Sequence, residues 1–91
     1  LNLSSNSIYY IQSELFDSLA NLIVIKLENN RIRLIQDFSL KSQIFVTRIY
    51  LNSNNLTQIN QNLTFKGLDS LSYMEIQSSL VENFTNVKIF Y

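Results

Sequence analysis

Few side chains in this sequence could carry catalytic chemistry. The 91 residues include seven acidic and seven basic side chains but no histidine and no cysteine. A Ser-His-Asp or Cys-His nucleophile, an imidazole or thiolate metal site and a disulfide framework are therefore excluded. The single glycine, Gly67, excludes GxGxxG and P-loop phosphate cradles. A pair of carboxylates is still a possible arrangement for acid–base catalysis.

Glu28 and Glu75 form one candidate carboxylate pair. Each follows alternating apolar and polar residues, a pattern that directs both carboxylates away from the interior. They should lie two strands apart, about 9–10 Å at the usual strand spacing. Such a separation could suit an inverting hydrolase, but the sequence indicates no cleft around the pair. We therefore predict that the chain is not an enzyme and that it holds no cofactor and no metal.

The elements that position these residues recur along the chain. Four apolar anchors, Leu3, Leu27, Leu51 and Ile76, follow one another at intervals of about 24 residues, the last interval being one residue longer than the others. Around each anchor the apolar residues alternate, which is the two-residue period of a short strand with one buried face. The spacing then changes to Asn-x-Ile-x-x-Ile, which predicts a turn that returns the chain behind the strand. No single repeat can enclose its own apolar face, so neighbouring repeats must stack.

The periodicity also predicts which residues form the shared core. The positions are Leu3, Ile25, Leu27, Ile32, Ile35, Ile49, Leu51, Leu56, Ile59, Met74, Ile76, Val81 and Phe84. Phe16, Leu19 and Leu22 are spaced three apart, as in one or two tight helical turns. Each repeat is therefore predicted to consist of a strand, a turn and an irregular or 3₁₀ segment.

These residues resemble the leucine-rich repeat family. The family pattern LxxLxLxxNxL is matched from Leu22 to Ile32, from Val46 to Leu56 and, more weakly, from Leu71 to Val81. The tail from Ile8 to Leu19 is similar to the 24-residue subtype found in animal receptor ectodomains. The resemblance covers essentially the whole chain. It implies an α/β repeat solenoid with short parallel strands on a concave face and irregular or 3₁₀ turns on a convex face.

Several residues depart from the family pattern. Leu40 stands where a phenylalanine is usual and Gln43 where a leucine is expected, so the convex side of the second repeat should be irregular. Ser79 replaces the asparagine of the fourth repeat. Phe16, Phe65 and Phe38 are expected to form an aromatic stack on the convex side.

The resemblance implies a domain organisation. The chain divides into a partial repeat 1–21, repeats 22–45 and 46–70, and a partial repeat 71–91. No cysteine-rich cap flanks the array, so we expect an uncapped fragment that would pack against further repeats or caps of its own full-length chain. Expressed alone, such a fragment is expected to aggregate or to be marginally stable.

One column of polar residues is predicted to be structural. Asn6, Asn30 and Asn54 occupy equivalent positions in three repeats. An asparagine amide both donates and accepts hydrogen bonds, and the resemblance implies that these side chains are buried and bind backbone groups where each strand ends. The alternative is a row of ligand-binding asparagines.

The candidate binding residues alternate outward from the strands. They are Val24, Lys26, Glu28, Arg48, Tyr50, Asn52, Tyr73, Glu75 and Gln77. Stacking should place Lys26, Tyr50 and Glu75 in one column and Val24, Arg48 and Tyr73 in the next. Tyrosine and arginine are enriched at interface hot spots. The alternative is that Arg48 only stacks on the tyrosines in a solvated cluster.

Four N-x-S/T sequons, at Asn2, Asn55, Asn62 and Asn83, are possible glycosylation sites. We expect Asn62 and Asn83 to lie in turns and Asn2 to project from the concave face. The net charge of zero gives no sign of a nucleic-acid or anionic-membrane partner. No apolar run exceeds four residues, which predicts no membrane insertion within this segment.

The resemblance therefore implies a non-enzymatic, protein-binding part of a cell-surface or secreted receptor or adhesion protein, with an extracellular location. Two alternatives remain. The repeats could be a structural spacer that only sets the distance between other binding regions, or they could belong to an intracellular, cytoplasmic scaffold of the same fold.

Overall fold

The computed structural model describes residues 1–19, 21–57, 61–76 and 88–90; residues 61, 62 and 88–90 are described by their backbone. Six short strands and one helical turn form the regular structure of these residues. In chain order they are β1 (Tyr10–Ile11), β2 (Val24–Lys26), β3 (Leu34–Ile35), β4 (Arg48–Tyr50), α1 (Gln61–Thr64), β5 (Tyr73–Glu75) and β6 (Lys88–Phe90).

The strands form two parallel sheets. The larger sheet has the order β2-β4-β5-β6, and the smaller sheet consists of β1 and β3. Up to β4 the chain alternates between the two sheets, so that β1 and β3 each lead to the next strand of the larger sheet. A parallel bridge between Asn2 and Lys26 extends the larger sheet towards the beginning of the chain.

The register of the larger sheet follows the repeat spacing found in the sequence. Val24 pairs with Arg48 of the next repeat, and Arg48 pairs in turn with Tyr73 of the repeat after that. The central residues of β2, β4 and β5 point inward, and these residues, Ile25, Ile49 and Met74, are fully buried. β-Branched residues suit these short strands because their side chains pack well on a half-buried pleated surface.

The last strand departs from the repeat period. Lys88 pairs with Tyr73, which it follows by much less than one repeat length, so β6 joins the sheet well before a further repeat could be completed. The predicted positions Ile59, Gln77, Ser79, Val81, Asn83 and Phe84 lie outside the described residues. Because Tyr73 pairs with Lys88, the connection between β5 and β6 is shorter than the repeat period of the sequence indicates.

The return segments pair with each other as extended strands, although their spacing predicts turns. β1 and β3 pair in parallel, with Ile11 in register with Ile35. The backbone N–H of Gln36 donates to the carbonyl of Ile11 over 2.8 Å. Repeats of equal length hold equivalent backbones one strand spacing apart, so extended return segments can pair as the main strands do. The Ile-x-x-Ile spacing concealed this extended backbone.

The segments that follow β1 and β3 form tight turns. They contain several backbone hydrogen bonds between residues three apart, including one from the N–H of Leu19 to the carbonyl of Phe16. Phe16 and Leu40 are buried there and Phe65 packs against the core. The expected contribution of Phe38 is wrong, because its side chain is 43% exposed and its backbone is left-handed, with a φ of 66°. Leu40 occupies the interior position instead.

Gln43 is accommodated in this interior by backbone hydrogen bonds. Its side chain is 2% exposed. Its amide nitrogen donates to the carbonyls of Phe16, over 2.9 Å, and Leu19, over 3.2 Å. The amide thus binds two carbonyls of the preceding repeat, and an apolar residue in its place would remove both bonds.

One apolar core lies between the sheets and the turns. The predicted core positions are confirmed for Ile25, Leu27, Ile32, Ile35, Ile49, Leu51, Leu56, Met74 and Ile76, each of which is buried. Leu3 packs against the core but is only partly buried. Its backbone N–H donates to the carbonyl of Lys26 in β2. Ile11, Phe16, Leu40 and Val46 complete the buried set among the described residues.

Candidate functional site

Two asparagines connect the repeats at the ends of the strands. The amide nitrogen of Asn30 donates to the carbonyls of Leu3, Leu27 and Glu28, and its oxygen accepts from the N–H of Ile8. The Asn30 side chain is 7% exposed. Both ends of its amide are therefore fully used within the protein.

Asn54 repeats this arrangement one repeat later. Its amide nitrogen donates to the carbonyls of Leu27 and Leu51 over 2.9 Å each, and its oxygen accepts from the N–H of Ile32 over 3.0 Å. A third, longer bond reaches the carbonyl of Asn52. We call Asn30 and Asn54 the asparagine ladder, because each joins its own repeat to the preceding one.

Asn6 differs from the ladder residues and corrects the expectation of a uniformly buried column. Its side chain is exposed, although its amide nitrogen still donates to the carbonyls of Leu3 and Ser4. These bonds stay within its own repeat. Asn6 therefore lacks the contacts to a preceding repeat that bury Asn30.

A strained backbone position precedes each asparagine of the column. Ser5, Asn29 and Ser53 have φ angles of 57°, 59° and 59°, in the left-handed region. L-residues adopt this region at a cost of roughly 1–2 kcal/mol, and asparagine tolerates it better than most. The repeated turn thus requires the same unusual backbone in three repeats.

The candidate binding surface lies on the side of the larger sheet that faces away from the core. We call it the outward face. Its described members are Val24, Lys26, Glu28, Arg48, Tyr50, Asn52, Tyr73 and Glu75, none of which is buried. The register brings Lys26, Tyr50 and Glu75 into one column and Val24, Arg48 and Tyr73 into the next, as the spacing predicted.

Aromatic and cationic side chains contact one another at the centre of this face. The rings of Tyr50 and Tyr73 lie with centroids 5.6 Å apart at 51°, a tilted geometry that aromatic pairs favour. The Arg48 guanidinium carbon lies 5.0 Å from the Tyr73 centroid, and Lys26 Nζ lies 5.8 Å from the Tyr50 centroid. Both separations permit cation–π attraction.

Hydrogen bonds further organise the cluster. Arg48 Nη1 donates to the Tyr50 hydroxyl over 3.4 Å, and this bond raises the pKa of the guanidinium above its ordinary value. The Tyr73 hydroxyl donates to the Glu75 carboxylate. That bond raises the pKa of Tyr73, because it stabilises the protonated phenol beside a negative charge.

Two oxygens at the edge of the outward face are buried without a hydrogen-bond partner among the described residues: Glu28 Oε1 and Asn52 Oδ1. The other Glu28 oxygen lies 3.9 Å from Lys26 Nζ. Glu28 and Glu75 thus contact different groups, Lys26 and Tyr73 respectively. Within residues 1–19, 21–57, 61–76 and 88–90, no group of three His, Cys, Asp or Glu side chains could hold a metal ion.

The sequons differ in their surroundings. Asn55 and Thr57 are exposed, and Leu56 between them is buried. Asn2 is exposed, but its side-chain oxygen accepts from both the N–H and the hydroxyl of Ser4. The backbone of Asn62 lies in α1 rather than in the predicted turn. No helix in the described part of the chain is long and apolar enough to cross a membrane.

A second exposed surface, on the smaller sheet, was not anticipated from the sequence. Tyr9 is 70% exposed, Tyr10 40% and Leu34 41%, and they line a shallow groove with Arg33 and Thr57. Its signal was the run Ile8 to Ile11, in which two tyrosines separate two interior isoleucines. Reading that run as a turn hid the outward direction of the tyrosines.

Comparisons with protein-family models, with curated proteins and with solved structures find no match to this chain.

Proposed function

We propose that this chain is a leucine-rich repeat array that binds another protein through its outward face, without catalysing a reaction. It would form part of a receptor or adhesion ectodomain at the cell surface or in a secreted protein. The observation that carries the proposal is the cluster of Arg48, Tyr50 and Tyr73 at the centre of a rigid parallel sheet.

The repeat assignment is supported by interactions that recur at the sequence period. Asn30 and Asn54 make equivalent hydrogen bonds in successive repeats. The strands β2, β4 and β5 each pair with the strand that lies one repeat further along the chain or one repeat before it. Stacked repeats need both features, because each repeat must satisfy its neighbour's backbone and cover its neighbour's apolar side chains.

The binding role is supported by residue type and by rigidity. Tyrosine and arginine carry much of the binding energy in protein interfaces. Here the cross-strand contacts already fix their side chains, so association would cost little side-chain entropy. The sheet backbone is held on both sides of β4 by parallel pairing.

The test is a binding screen of this chain against a displayed panel of secreted and cell-surface protein domains. The double variant Tyr50→Ser/Tyr73→Ser should lose a partner that the unmodified chain binds. Tyr9→Ser is the matched control, because Tyr9 is an exposed tyrosine directly before β1, beside the smaller sheet. Its binding should be unchanged. Partners that tolerate the double variant but not Tyr9→Ser would contradict the proposal.

A spacer role has one observation in its favour, because the polar groups at the centre of the face largely satisfy one another. The same screen separates the two functions. A spacer would bind no partner through Tyr50 and Tyr73, whatever happens elsewhere in the full-length protein.

The extracellular location is tested by glycan analysis of the native protein. Among the sequons whose side chains are described, Asn55 has the more accessible arrangement, with its hydroxyl residue Thr57 also exposed. We expect sugar on Asn55, detected as a mass increase that peptide-N-glycosidase removes. Sugar on Asn62 or Asn83 would equally exclude a cytosolic scaffold. Native protein carrying no sugar at any of the four sequons would favour the intracellular alternative.

A further inference from the structure

Four charged side chains belong to the described part of the outward face, and they are not equally compensated. Lys26 lies 3.9 Å from the Glu28 carboxylate. Glu75 accepts a hydrogen bond from Tyr73. Arg48 has no carboxylate within 4 Å among the described residues, although it lies at the centre of the face. This part of the face therefore presents one cation without an anionic partner.

The guanidinium of Arg48 is held in place while most of its donors stay free. Of the five N–H groups of a guanidinium, one makes a hydrogen bond within the described structure, the 3.4 Å bond from Nη1 to the Tyr50 hydroxyl. The guanidinium carbon lies 5.0 Å from the Tyr73 centroid, so the ring supports one face of the group. Arg48 is exposed, which leaves its remaining donors open to solvent.

The phenol rings are themselves fixed. Tyr73 is held by its hydrogen bond to Glu75, and Tyr50 contacts both the Tyr73 ring and Lys26. A guanidinium that is ordered before binding loses less rotamer entropy when it meets an anion. Planar, two-point pairing with a carboxylate is the interaction that its fork geometry favours.

We propose that Arg48, supported by Tyr50 and Tyr73, is a subsite for an aspartate or glutamate carboxylate of the protein partner. This inference rests on the function proposed above and adds the chemistry of the partner: an acidic residue at the centre of its contact surface. One uncompensated cation matches one singly charged carboxylate. A more highly charged anion would also face the carboxylates of Glu28 and Glu75.

The test is an NMR titration of the chain, labelled at arginine side chains, with a capped Gly-Glu-Gly peptide, which carries a single carboxylate, at low salt. The Arg48 Nε–Hε resonance should shift in a saturable manner. Arg31 and Arg33 are exposed arginines away from the outward face and serve as internal references. Their resonances should shift much less. A capped Gly-Gln-Gly peptide of the same length is the matched ligand control and should produce no saturable shift.

Three variants separate the effect of the two-point geometry of the Arg48 guanidinium from the effect of its positive charge. Arg48→Gln should abolish the saturable shift, monitored at the Tyr73 ring. Arg48→Lys keeps the charge but loses the two-point geometry, so we expect the peptide Kd to rise roughly tenfold. Tyr9→Ser should leave the Kd unchanged. Unaltered backbone spectra would show that each variant is folded.

Equal shifts at Arg31, Arg33 and Arg48, or equal affinity for the two peptides, would overturn the subsite. The result is independent of the partner screen. A partner lost with Tyr50→Ser/Tyr73→Ser but retained at full affinity with Arg48→Gln would contradict the subsite and leave the proposed function standing. Saturable peptide binding at Arg48, combined with no partner that depends on the tyrosines, would contradict the proposed function and support the carboxylate chemistry alone.

Discussion

The asparagine ladder and the outward face use polar side chains in opposite ways. The side chain of Asn30 binds only backbone groups, and both ends of its amide are occupied. The side chain of Arg48 contacts neighbouring side chains and keeps free donors in solvent. Removing a ladder group leaves a backbone N–H of the preceding repeat without its acceptor, whereas removing a face group returns its neighbours to water. The ladder should therefore govern stability, and the outward face should govern recognition.

The largest effect is expected from Asn30→Leu. This change leaves the N–H of Ile8 without its acceptor. It also removes one of the two side-chain donors to each of the carbonyls of Leu3 and Leu27, which keep the amides of Asn6 and Asn54 respectively. We expect a loss of about 1–3 kcal/mol in the free energy of unfolding, measured by urea denaturation. The Tm should fall by roughly 4–8 °C for each kcal/mol.

Asn6→Leu is the control for this prediction. Asn6 is exposed, and its side-chain hydrogen bonds in the described structure stay within its own repeat, so its replacement should change stability by less than about 0.5 kcal/mol. Equal losses from the two changes would remove the distinction between the buried Asn30 and the exposed Asn6.

A smaller effect of opposite sign is expected from Ser53→Gly. Ser53 has a φ of 59°, where glycine pays no steric cost but loses more backbone entropy on folding. The net gain should be about 0.5–1 kcal/mol in thermal unfolding. Ser70→Gly is the control, because Ser70 is exposed and does not have a positive φ. That change should not stabilise the protein, and a gain of equal size would show that backbone strain is not the cause.

On the outward face, Tyr50→Ser should change stability little. The residue is half-buried, and cross-strand pairs are worth roughly 0.2–1 kcal/mol. We expect a loss below about 1 kcal/mol in the same urea experiment, together with loss of partner binding. A loss larger than that of Asn30→Leu would reverse the comparison between the two regions.

The smallest expected effect is electrostatic. The hydrogen bond to Glu75 raises the pKa of Tyr73 above the ordinary value of 10.0, with Tyr50 adding to the rise and Arg48 opposing it. The stability associated with this shift is fully present below pH 10.0 and is lost as the pH rises through the higher folded value. Ultraviolet titration should detect the late-titrating tyrosine. Glu75→Gln should lower its pKa, and an unchanged titration would contradict the assigned cause.

Much of the larger sheet could be anticipated because its information is local and periodic. Alternation around Leu27 and Leu51 marks strands with one buried face, and the constant spacing sets which residues pair. Outward residues such as Tyr50 follow from the same alternation. The roles predicted for Asn30 and Asn54 come from the resemblance to leucine-rich repeats, because the spacing alone also allows a row of ligand-binding asparagines.

The remaining features depend on contacts that no local pattern reveals. The pairing of β1 with β3 forms because the stacking of repeats brings the two return segments side by side. The exposure of Phe38 follows from a left-handed backbone and from burial of Leu40 in its place. The compensation of Lys26 by Glu28, which leaves Arg48 unmatched among the described residues, depends on side-chain directions that the residue order does not specify.

Everything proposed for the outward face depends on the register that stacks Ile25, Ile49 and Met74 beneath it. Nuclear Overhauser contacts between selectively labelled methyl groups test this register directly. We expect contacts from Ile25 to Ile49 and from Ile49 to Met74, because β4 lies between β2 and β5. Direct contact between Ile25 and Met74 without Ile49, or no contact among the three, would contradict the stacked arrangement and the binding surface built on it.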